Sequence, residues 1–174
     1  MEADKAKLTL EVAQSKFCGA GVVSAYLLKH IAASAGSYAP GIQDRMFFDL
    51  QRRGGDLPGV QRWLAENLDQ LNYQGYSYAA RDITQPSADL LKWVSAGNGF
   101  RGAILPAAPA VLHPGLGVDD PTYTVALCGG DGKVMMIDPW PGTKPQQVPP
   151  PSTLDAAHRK RNYRAVALFW RGHS

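Results

Sequence analysis

The first regular pattern is Lys7–Val12 (KLTLEV), where apolar and polar positions alternate as in a short half-buried strand. Behind it, Gln14–Ala35 is apolar nearly all round, at Val22, Val23, Tyr26, Leu27, Leu28 and Ile31. Ser15 can cap a helix there and Gly36 can end it, so a buried central helix is expected. Gln43–Arg53 carries Met46, Phe47 and Leu50 at helical spacing and stops at Gly54-Gly55. Leu57–Leu71 places Pro58 in a first turn that tolerates it and repeats apolar residues at Val60, Trp63, Leu64, Leu68 and Leu71. Tyr73–Ala80 reads as a strand. Ser87 then reads as the cap of an amphipathic helix holding Leu90, Leu91, Trp93 and Val94, closed by Gly97-Asn98-Gly99.

The second half changes character. Arg101–Pro106, Thr122–Cys128, Val134–Asp138 and Tyr163–Arg171 read as strands, with Gly129-Gly130-Asp131-Gly132 as a hairpin turn. Pro106–Pro121 and Pro139–Pro151 read as proline-rich loops. Helices first and antiparallel strands afterwards predict an α+β fold in a single domain over 1–174, its helical part about 14–97 and its sheet part about 100–172.

Composition narrows the function classes. A chain of 174 residues, 45% hydrophobic and 19% charged, has enough length and apolar content for a real core. Lys+Arg 18 against Asp+Glu 15 leaves a net charge of +3, too small to argue for nucleic acid. Two cysteines cannot staple a disulfide scaffold, and both are expected as free thiols. No Cys/His spacing resembles a zinc site, so no metal or cofactor is expected. The longest apolar stretch, Val22–Ala35, is interrupted by Lys29 and His30 and falls short of the ~18 residues of a membrane span. No basic start runs into an apolar segment, so the expected location is the cytoplasm, or export by a route without a cleavable signal.

Cys18 is the first candidate for chemistry. It lies at the opening of the central helix, where aligned peptide dipoles favour a thiolate. Gly19, Ala20 and Gly21 leave room for a substrate backbone. The free N–H groups of the first turn and the Gln14 carboxamide can hold an oxyanion. The competing reading is a small buried hydrophobe, the usual state of a free cysteine. The second half of the pattern is Tyr123–Gly142, in which a strand, a glycine hairpin and a second strand end in Asp138-Pro139-Trp140.

In this order of elements the chain resembles the papain-like cysteine peptidases, more particularly the compact bacterial branch that includes bacteriocin-leader peptidases and some secreted effector proteases. The resemblance covers about Lys7 to Arg171. It implies a Cys-bearing helix buried against an antiparallel sheet or half-barrel, with Cys18 as nucleophile and Gln14 as oxyanion donor. It also implies that Asp138 orients a catalytic histidine and that Tyr123, Gly19 and Trp140 line the substrate cleft. The departure falls at the family's histidine position, which holds Tyr123. A phenol titrates near ~10 and is a poor base at neutral pH.

Of the four histidines, His30 lies twelve positions beyond Cys18 on the same expected helix, about 18 Å along its axis, and cannot reach the thiol. His158 and His173 fall in a polar C-terminal region and are expected to be solvated, and His158 opens a basic run (His158–Arg164) that leads to the last strand. His113, in Val-Leu-His-Pro-Gly, is the candidate base, its alternative being an ordinary loop histidine. Asp138 has a plain alternative too, because Asp-Pro at a strand end is common turn chemistry. Asp119-Asp120 reads as a solvated loop. Two functions follow: thiol-dependent hydrolysis of a peptide or amide, or a catalytically degenerate relative that binds a peptide or protein in the same cleft.

Overall fold

The computed structural model describes residues 45–46, 48–50, 56–67, 72–73, 76–97, 101–114, 123–130, 132–138 and 148–172. The expected strand Lys7–Val12, the central helix with Gln14, Cys18, Gly19 and His30, and Asp119-Asp120, Trp140 and His173 lie outside these residues.

Residues 45–46 and 48–50 are helical, as the spacing of Met46 and Leu50 predicts, and both of these side chains are buried. Helix α1 (Leu57–Asn67) follows. Its first turn is capped by Asp56, whose carboxylate accepts the Gly59 N–H at 3.0 Å. Buried Trp63 ties α1 to the preceding helical residues, its indole N–H reaching Asp49 at 2.8 Å while Arg45 stacks over its ring.

The expected strand at Tyr73–Ala80 is split and longer: β1 (Asn72–Tyr73) and β2 (Tyr76–Thr84). Helix α2 (Ser87–Ala96) comes next, with Pro86 and not Ser87 at the capping position. Ser87 is the first helical residue, buried, and its hydroxyl has no partner among the described residues. Proline's fixed φ and extended ψ set the start here without a side-chain cap. At the far end, a Cβ on Gly97 would lie 2.8 Å from the Arg101 side chain. That open side lets Arg101 fold back, donating to the Trp93 carbonyl at 3.0 Å and stacking on its ring.

Strand β3 (Arg101–Pro106) holds the expected bounds. The next hairpin is shifted: β4 is Thr124–Gly130 and β5 is Lys133–Ile137, so Gly129 and Gly130 belong to the strand and not to the turn. Gly129 is required there by space, since a Cβ would meet the Lys133 carbonyl at 2.1 Å, and its φ is 157°. Gly132, at φ 81°, supplies the turn and donates its N–H to Ser95 at the end of α2.

Two helices stand where proline-rich or polar chain predicted loops. Helix α3 (Pro109–Leu112) and helix α4 (Pro151–Arg159) each begin with proline at the first position, where the missing N–H costs nothing. In α4 the residues Leu154, Ala157 and His158 form one buried face. The chain then reverses through Asn162 and Tyr163, both left-handed at φ 58° and 54°, into β6 (Arg164–Gly172). Tyr163 is held in that conformation by hydrogen bonds of 3.0 Å to Asp155 and from Arg159.

The strands form one antiparallel sheet in the order β1-β2-β6-β3-β4-β5. The fold is therefore α+β with an antiparallel sheet, as expected, but strands and helices are less segregated along the chain. β1 and β2 come before α2, and α3 and α4 lie among the later strands. On one face Ala103, Leu105, Val125, Leu127, Met136 and Ala165 pack against Leu90, Val94, Leu154 and Ala157 of α2 and α4. On the other face Ile104, Ala126, Cys128, Val166 and Leu168 are equally buried. Central strands covered on both sides read as continuous apolar runs, which is how RGAILP and TVALC look in sequence.

Candidate active site

Three of the residues singled out in the sequence meet at the edge of the buried sheet face: His113, Tyr123 and Asp138. Each is placed by its own element. Asp138 directly follows β5, and the ladder Leu127↔Met136, Ala126↔Ile137 continued by one step sets it opposite Val125. Tyr123 precedes β4 on the same face, diagonal to Asp138, within reach of a long side chain. His113 caps the C-terminus of α3, its N–H bonded to the Pro109 carbonyl at 2.7 Å. The start of α3 is pinned by Ala107 N–H to Tyr123 O at 3.1 Å and Ala108 N–H to Ala157 O at 3.0 Å.

His113 Nε2 lies 2.7 Å from Asp138 Oδ2. The Tyr123 hydroxyl donates to the other oxygen, Oδ1, and lies 3.1 Å from His113 Nε2. The two rings meet edge to face, 6.2 Å between centroids. Asp138 is 4% exposed and His113 22%, so the carboxylate is shielded while the imidazole keeps an open edge. Burial, then the charge and hydrogen bond of Asp138, push the Tyr123 phenol far above its ordinary range. Tyr123 is therefore a permanent donor and no base. Its hydroxyl donates to Asp138.

An imidazole whose Nε2 faces a carboxylate carries its proton on that nitrogen, which leaves the lone pair on Nδ1. Such an arrangement can hold an imidazole in a fixed orientation, with a buried carboxyl group behind it, as a general base requires. The link of Tyr123 to Asp138 was not read from the sequence, although the hairpin register and the residues' common face carry it.

His158 is a correction. It is fully buried in the last turn of α4, its ring N–H donating to the Arg164 carbonyl at 2.7 Å. Nδ1 has no partner among the described residues, and burial lowers the ring's affinity for a proton. Cys128 is a buried free thiol, pushed up to about 12 by that burial, and so is no nucleophile at neutral pH.

Among the described residues no three His, Cys, Asp or Glu side chains cluster as a metal site, and no helix is long and apolar enough to cross a membrane. No family model, curated protein or solved structure matches the chain.

Proposed function

We propose that the chain is a thiol-dependent hydrolase of peptide or amide bonds, of papain-like type, acting on a peptide or protein. The observation that carries this reading is the 2.7 Å contact between His113 Nε2 and Asp138 Oδ2. A histidine with its Nε2 proton held by a buried carboxylate is the base that a cysteine nucleophile needs. His113 then serves in place of the strand-borne histidine whose position Tyr123 occupies.

In the proposed reaction Nδ1 of His113 takes the Cys18 thiol proton and the thiolate attacks the scissile carbonyl. The oxyanion is met by Gln14 and the N–H groups of the first helical turn. His113 returns the proton to the leaving amine, and water, deprotonated by the same ring, releases the acid from the thioester. Gly19 and Trp140 form walls of the cleft.

The test is incubation of the protein with a mixed peptide pool and detection of new N-termini. Wild type generates them, and Cys18→Ser and His113→Ala do not. Retention of peptides by wild type without cleavage would establish the degenerate binder instead.

A further inference from the structure

We infer that Tyr123 is a positioning residue for His113: its hydroxyl donates to Oδ1 of Asp138 while Oδ2 accepts the His113 Nε2–H, locking the ring in the tautomer whose lone pair is on Nδ1. The inference rests on the reading of His113 as base and adds the device that makes it one.

Three observations support it. First, a carboxylate as buried as Asp138 is costly unless its oxygens accept hydrogen bonds, and Tyr123 and His113 supply one donor to each oxygen. Second, the phenol cannot become a competing acceptor by ionising, because burial and the neighbouring charge hold its proton in place. Third, Tyr123 fixes the histidine from two directions. Its ring stands edge to face against the imidazole at 79°, and its carbonyl holds the Ala107 N–H that leads into α3, whose end carries His113. Rotation of the imidazole by half a turn would take Nε2 away from both partners.

The tyrosine therefore occupies the position where the related peptidases carry their histidine and supports a histidine brought in from a helix end. Loss of its hydroxyl removes one donor from the carboxylate, whose Oδ1 then competes with Oδ2 for the imidazole N–H and loosens the ring.

The experiment is nitrogen-15 NMR of the full chain, reading the His113 tautomer and the exchange of its ring N–H with water. Wild type shows a single Nε2–H tautomer with a protected proton. In Tyr123→Phe the Nδ1–H form appears beside it, and the ring proton exchanges about tenfold faster, the equivalent of one hydrogen bond lost. A second measurement keeps the tyrosine and its packing: 3-fluorotyrosine at position 123, a stronger donor, draws charge from Asp138 and moves the His113 ring proton upfield. An unchanged His113 spectrum in either folded variant overturns the inference. Neither readout needs substrate or Cys18. An unchanged spectrum together with hydrolysis lost in His113→Ala refutes the role of Tyr123 alone. A changed spectrum with hydrolysis surviving His113→Ala refutes the base assignment alone.

Discussion

His113 Nε2 and Asp138 Oδ2 lie 2.7 Å apart although 25 positions separate them in the chain. One comes from the end of a four-residue helix and the other from the end of a strand. The contact depends on the α3 start being pinned to Tyr123 and Ala157, and on the β4–β5 register.

Replacing Asp138 by Ala removes the acceptor of both the Tyr123 hydroxyl and the His113 N–H. Any hydrolysis should fall by at least ~10²-fold, the usual scale of a general-base contribution. Stability should fall by about 1–3 kcal/mol, because two donors are left without their acceptor. Steady-state kinetics and denaturant unfolding check the two effects separately.

The hairpin predicts a second outcome. In Gly129→Ala the new methyl group meets the Lys133 carbonyl at 2.1 Å and the Val134 Cα at 2.9 Å, both backbone atoms that cannot swing aside. The variant should lose roughly 2–4 kcal/mol, about 5–15 °C in Tm for a chain of this size. Gly132→Ala meets nothing within 4 Å and pays only for its positive φ, so it should lose less. Thermal unfolding of the two variants side by side gives the answer.

His158 makes the α4–β6 junction acid-sensitive. Its folded-state proton affinity is lowered, mainly by burial, so the unfolded chain takes up the proton more readily. Its contribution is fully present above the unfolded value near ~6.5 and is lost as pH falls from there through the folded value. His158→Gln keeps a donor for the Arg164 carbonyl but does not titrate. Wild-type Tm should decline between pH 7 and 5, and the decline should be smaller in the variant.

Cys128 should stay unmodified in the native protein at pH 8, since its thiol is buried and pushed up to about 12. Mass spectrometry after alkylation should find it modified only once denaturant has opened the sheet. Modification of native Cys128 at the denatured rate would show that the strand is exposed.

Strands β3, β4 and β5 were legible in the sequence because they are short apolar runs between glycine and proline, whereas β2 (YSYAARDIT) runs four residues past its expected end. The bounds of β3 follow directly, and the β4–β5 hairpin follows to within two residues. Helix α4 was not, because three prolines and two polar residues precede its first buried position, Leu154, and the rest of its buried face is one alanine and a histidine. The same feature misled the reading of His158, whose neighbours Arg159, Lys160 and Arg161 suggested solvent. Asp138 could be named as a candidate through the family resemblance, and His113 by setting the other histidines aside. Their contact could not, since it depends on where α3 docks, which two backbone hydrogen bonds decide.

The most direct measurement is the rate of alkylation of Cys18 by iodoacetamide at pH 6, in wild type and in His113→Ala. An isolated thiol is well under ~1% thiolate at that pH. A thiol paired with the His113 imidazole should react about 10²-fold faster than the same cysteine in the unfolded chain, and His113→Ala should abolish the difference. Equal rates in wild type and His113→Ala would contradict the assignment of His113 as the base.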